Sequence, residues 1–138
     1  PDKDHPDPED LIEASEAILR GAGLSRQKAA ALKDVAQKRI DGTIPPARAL
    51  VRLPDEEIIE RLTAARGVGR WTVEMYLIFT LGRQDVLPID DLAVRKGAER
   101  VFDRDFTPKQ LDAFGERWKP WRSAAAWHLW RVMDTKTV

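Results

Sequence analysis

The 138-residue chain is predicted to be all-α, a bundle of short helices. Three observations carry that expectation. Apolar residues recur three and four apart in segments such as Ile12 to Leu19, Ala29 to Ile40 and Leu111 to Trp118, no strand-like alternation persists, and cap and stop residues punctuate the chain at helical intervals. The length fits a single helical domain over 1–138, within which 62–82 forms a hairpin and its following helix.

Asp7-Pro8-Glu9-Asp10 is a helix start, with a cap, a proline at the first position and acids in the first turn, and Gly21 and Gly23 end the helix it opens. Ser25 caps a second helix running to about Ile40, closed by Asp41-Gly42. Pro45-Pro46 marks a break, and a short turn near Leu50 leads to a new start at Pro54-Asp55-Glu56-Glu57. The helix it opens has Ile58, Ile59 and Leu62 as its apolar side.

A Gly67-Val68-Gly69 turn then opens a helix over Arg70 to Leu81, with Trp71, Met75 and Ile78 along one side and Gly82 as its stop. Leu92 to Phe102 reads as a further helix. Thr107-Pro108-Lys109-Gln110 is a capping box for the next, which Lys119-Pro120 breaks, and Ser123 to Met133 is the last. There is no internal repeat and no low-complexity tract.

The absence of cysteine excludes disulfides, iron–sulfur clusters and thiolate zinc sites, and His5 and His128 lack metal-ligand spacing. No metal or other cofactor is implied. No apolar run approaches the length of a membrane span and no secretory pattern opens the chain, so an intracellular protein without membrane contact is expected. A formal net charge of zero weighs mildly against a nucleic-acid partner. Residues 1–16, however, hold seven acidic side chains against Lys3, which leaves the remainder with a surplus of six basic groups and room for a basic face.

Two motifs carry chemistry. Leu62, then Arg66-Gly67-Val68-Gly69, then an apolar helix is the pattern of a helix-hairpin-helix unit. Glycine permits close backbone approach and a helix N-terminus favours an anion, so such a turn can hold a DNA phosphate. Alone it is an ordinary tight turn. Asp90 and Asp91 precede an apolar helix, where an aspartate more often caps than catalyses. Each of Trp71, Trp118, Trp121, Trp127 and Trp130 is by default a core residue. Surface solvation is the default for Arg66, Arg70 and Arg95, and packing or capping for His128.

Taken together and in order, three stretches resemble the helix-hairpin-helix DNA glycosylase superfamily, and within it the 3-methyladenine DNA glycosylase II (AlkA-like) branch. They are Gly67-Val68-Gly69-Arg70-Trp71-Thr72, then Asp85-Val86-Leu87-Pro88-Ile89-Asp90-Asp91-Leu92, then Glu116-Arg117-Trp118-Lys119-Pro120-Trp121-Arg122-Ser123 continuing to His128 and Trp130. The resemblance covers nearly the whole chain from about Pro8. It implies Asp91, the second of the aspartate pair, as the catalytic residue, Trp71 and Trp130 as walls of a base pocket, and Gly67, Val68, Gly69 and Arg70 as phosphate contacts. The implied partner is double-stranded DNA carrying alkylated bases such as 3-methyladenine, and the implied protein is a cytoplasmic, nucleoid-associated monomer.

The chemistry fits one carboxylate. Cleaving an N-glycosidic bond builds oxocarbenium character on the sugar, which a fixed anion stabilises. A base alkylated on a ring nitrogen is already cationic and leaves without a paired acid. Relatives that also cut the DNA backbone carry a lysine after the hairpin where this chain has Trp71, so base excision without lyase chemistry is implied. The family carries further helices upstream, including a glutamine-containing segment that inserts into the duplex, so the chain looks like the C-terminal part of a glycosylase domain completed by another segment or chain. A DNA-binding module without chemistry, or an inactive fragment, is the alternative.

Overall fold

The structure, a computed structural model, describes residues 5–135. Among them every regular element is helical: α1 (Pro8–Glu13), α2 (Glu16–Gly21), α3 (Arg26–Ile40), α4 (Ala47–Leu50), α5 (Asp55–Thr63), α6 (Arg70–Phe79), α7 (Leu92–Phe102), α8 (Pro108–Gly115), a 3-10 turn at Glu116–Trp118, and α9 (Arg122–Asp134). The all-α expectation holds. Contacts divide the chain into two compact units, Pro1–Val73 and Glu74–Val138.

Local capping explains most boundaries. The hydroxyls of Ser25 and Thr107 accept from the amides three residues on, Lys28 and Gln110, both at 3.2 Å, and the Gln110 side chain returns a bond to the Thr107 amide at 3.0 Å. Three expectations need correction. The first helix is two, because Ser15 caps a new start by accepting from the Ile18 amide at 3.2 Å, and α1 is separately tied to α3 where Lys33 donates to the Ile12 carbonyl at 3.1 Å. α6 stops at Phe79, since the amides of Thr80 and Leu81 both fold back onto the Tyr76 carbonyl at 3.0 Å. The helix after Thr107 ends at Gly115, ahead of the Lys119-Pro120 break, and passes into the 3-10 turn.

In the N-terminal unit, α1 and α2 pack on α3. Its buried apolar residues include Leu19, Ala29, Ala36, Ile44, Leu50, Ile58, Ile59, Ala65 and Val73. In the C-terminal unit the core is Leu87, Val94, Ala98, Phe106, Leu111, Ala126 and Leu129, against which Phe114, Trp118 and Trp130 pack. α7 and α9 form its principal helix pair. They approach so closely at Gly97 that a Cβ there would lie 2.3 Å from the Leu129 carbonyl oxygen, a backbone atom that cannot rotate away.

The tryptophans depart from the core reading. Trp71, Trp121 and Trp127 are about half exposed, while Trp118 and Trp130 are partly buried. The buried side of α6 carries Val73 and Leu77, not Trp71. His128 is likewise exposed, its ring edge-on to Trp127 at 5.7 Å between centroids, so it neither packs into the core nor caps a helix.

Candidate active site

Two constructions carry the predicted site residues, one in each unit. The first, in the C-terminal unit, begins with the segment between α6 and α7. Arg122, the first residue of α9, clasps Asp85 with its guanidinium at 2.7 and 3.1 Å, and its own amide reaches the same carboxylate at 3.3 Å. Ser123 closes the clasp. Its hydroxyl donates to the Arg83 carbonyl at 2.7 Å and accepts from the Val86 amide at 2.9 Å, and its amide donates to the Gln84 carbonyl at 3.0 Å. The guanidinium bonds hold the Asp85 carboxyl below its ordinary range, and the carboxylate holds Arg122 above its own. Two of the three family-like stretches, far apart in the chain, therefore meet as one corner.

From that anchor the chain runs through buried Val86, Leu87 and Pro88 into Asp91. Asp91 is the N-cap of α7: its Oδ1 accepts from the Val94 amide at 2.9 Å. The capping reading is thus correct. Capping is not all the carboxylate does, because the same Oδ1 accepts from the indole Nε1 of Trp130 at 3.1 Å. Two donors fixed by α7 and α9 set the orientation of one half-buried carboxylate, while Asp90, one residue earlier, is exposed. Trp130 is in turn stacked on Phe79 at the end of α6, with ring centroids 5.6 Å apart and planes 26° from parallel. Sequence reasoning missed Phe79, whose ring is largely exposed beside the indole.

The second construction, in the N-terminal unit, is the turn joining α5 to α6. Ala65 and Val68 donate backward, to the Leu62 and Ala65 carbonyls at 3.1 and 3.2 Å, so the Val68 amide is engaged within the turn. Val73 gives the first intrahelical bond to the Gly69 carbonyl at 3.3 Å, which makes Gly69 the cap position and opens α6 at Arg70. Gly67 has φ +75°, and a Cβ there would come 3.1 Å from the Ala31 Cβ, so both backbone shape and proximity to α3 call for glycine. Asp34 of α3 accepts from the Arg66 amide at 2.5 Å. The turn is braced from below by a carboxylate 32 residues earlier, which no local signal in the sequence announces.

Arg70 and Trp71 stand on the first turn of α6. The Arg70 guanidinium lies on Glu56 of α5, its two nitrogens 3.0 and 2.6 Å from the two carboxylate oxygens. Trp71 keeps 49% of its surface exposed. Among the described residues no group of histidines and carboxylates is arranged to hold a metal ion, and no helix is long and apolar enough to cross a membrane.

The profile of HhH-GPD superfamily base excision DNA repair proteins matches residues 2–123. The chain belongs to this superfamily. Among its relatives is DNA-3-methyladenine glycosylase 1 of Schizosaccharomyces pombe, 43% identical over 129 residues, a match covering 92% of this chain and 57% of the relative. DNA-3-methyladenine glycosylase 2 of Escherichia coli is 31% identical over 127 residues, covering 91% and 42%. A solved Schizosaccharomyces pombe 3-methyladenine DNA glycosylase in complex with abasic DNA superposes with a TM-score of 0.83 at 41% identity, covering 96% of this chain and 66% of that one. This HhH-GPD chain therefore spans between 42% and 66% of the length of these relatives.

Proposed function

We propose that the chain carries the catalytic and DNA-gripping parts of a monofunctional DNA glycosylase that hydrolyses the N-glycosidic bond of alkylated bases such as 3-methyladenine in duplex DNA. The observation that carries this is the Asp91 carboxylate, aimed by an α7 amide and the Trp130 indole beside a stacked aromatic pair. The similarity to proteins named as 3-methyladenine glycosylases supports it.

In this reading Asp91 faces the sugar of an extruded nucleotide. At about 4 Å and an effective dielectric near 20, an anion opposite a developing oxocarbenium is worth about 4 kcal/mol, or about three decades of rate. An indole face attracts a cationic base by about 0.5 to 2 kcal/mol, which favours alkylated over normal purines. Trp130 supplies one such face and Trp71 is the other residue the family resemblance assigns to the base. Damaged pairs are also cheaper to open. The hairpin holds the backbone through the N-terminus of α6, and Trp71 in place of a lysine leaves no amine there for backbone cleavage.

Asp91→Asn separates chemistry from architecture, because asparagine caps a helix as well as aspartate and keeps an oxygen for the indole N–H. Expected is unchanged duplex binding with base release slowed about a thousandfold, read as free 3-methyladenine and abasic sites from methylated DNA. Equal release by parent and variant overturns the assignment. Binding without release by the parent itself indicates a DNA-binding module instead.

A further inference from the structure

Arg70 stands on the first turn of α6 beside the hairpin, yet its guanidinium is matched tooth for tooth with Glu56, at 3.0 and 2.6 Å. Glu56 sits in the first turn of α5 between Asp55 and Glu57, a cluster of three acids. The open cleft beside the pair, about 780 Å³, is lined by Glu56, Glu57 and Glu60 against Arg61 and Arg70, so its surroundings are acidic on balance. Both partners are solvated, with 46% of the Arg70 and 74% of the Glu56 side chain exposed. An exposed pair of this kind is weak enough for a DNA phosphate to displace the carboxylate, but only by competing with it.

Resting on the proposal that the hairpin binds DNA, we infer that Glu56 sets the strength of that binding by competing with the phosphate backbone for Arg70. The carboxylate acts as a built-in phosphate mimic. When DNA arrives, the guanidinium exchanges one bidentate oxyanion for another, so the apparent affinity is lowered by the fraction of time the internal pair is closed. The same exchange gives the dependence on salt. Added ions weaken the internal pair along with the phosphate contact, so the handicap imposed by Glu56 is greatest at low ionic strength. The arrangement suits a protein that must leave undamaged DNA readily while searching.

The test is a double-mutant cycle on binding of undamaged duplex by the intact chain, measured by fluorescence anisotropy at several salt concentrations. Glu56→Gln is expected to tighten binding about two- to five-fold at low salt, with the advantage shrinking as salt rises. Glu60→Gln, which removes the same charge from the same cleft, controls for general electrostatics and is expected to gain less. In an Arg70→Ala background Glu56→Gln is expected to gain no more than Glu60→Gln. Equal gains from the two glutamine variants, or a Glu56→Gln advantage that survives loss of Arg70, overturns the competition. Absence of DNA binding by every variant at low salt instead overturns the reading of the hairpin, and this inference with it.

Discussion

The glycine turn and the Asp91 corner are built on opposite plans. The turn is made from consecutive residues, 62 to 73, shaped by short-range backbone bonds from Ala65, Val68 and Val73 and braced from outside by Asp34. The corner is made from two segments that touch only after folding: Asp91 meets Trp130 across 39 positions, and Asp85 meets Arg122 across 37. A site made of local backbone tolerates change nearly everywhere except at the residues with special φ. A site made of tertiary contacts depends on every helix crossing that delivers a side chain to it.

The sharpest way to break that contrast is Gly97→Ala. A Cβ at this position would press into the Leu129 carbonyl at 2.3 Å, and Leu129 directly precedes Trp130. Because the obstacle is backbone, α9 has to shift. A loss of about 3 kcal/mol is expected, measured by urea unfolding, together with loss of base release even in the folded fraction. A cost below about 1 kcal/mol, with activity intact, would show that the α7–α9 approach does not position the indole.

On the other side of the comparison stands Gly67→Ala. The left-handed φ of +75° costs an alanine about 1–2 kcal/mol, and the new methyl would meet Ala31 Cβ at 3.1 Å. DNA affinity is expected to fall about tenfold while the C-terminal unit keeps its stability. Adding Ala31→Gly relieves the crowding but not the backbone strain, so recovery should be partial. Full recovery by the double variant would mean that crowding, rather than φ, demands the glycine.

The same contrast governs what the sequence discloses. Helix starts at Ser25, Thr107 and Asp91 are legible because a cap and its amide lie three residues apart. The break at Ser15 is hidden since the apolar spacing continues across it. The Trp71, Met75 and Ile78 stripe does not mark the buried side of α6, which carries Val73 and Leu77, because two apolar stripes fit the same helical period. In the site, Asp91 stands out within its motif, whereas Asp34, Glu56 and Phe79 carry no local mark: each acquires a role only from a partner brought in by folding. Gly97 does leave a trace, a glycine inside a good helix, where it costs about 1 kcal/mol relative to alanine and so needs a packing reason.

The smallest effect expected is at the anchor of the corner, and it has a pH signature. Arg122 lowers the Asp85 carboxyl below its usual 3.8, so the unfolded chain takes up a proton there before the folded one does. The stabilisation is therefore complete above about pH 4 and is lost as acid titrates the folded carboxyl. Asp85→Asn should cost about 1 kcal/mol at neutral pH, the low end for a hydrogen-bonded charge pair because Asp85 is partly solvated, its side chain 32% exposed. Thermal melts of parent and variant should converge as pH drops below 4, although both lose stability there through other lowered carboxyls, Asp41 and Glu99. A gap that stays constant down to pH 2 would mean that the variant suffers from lost shape in the 83–86 segment rather than from lost charge, and that the Ser123 bonds alone hold the corner closed.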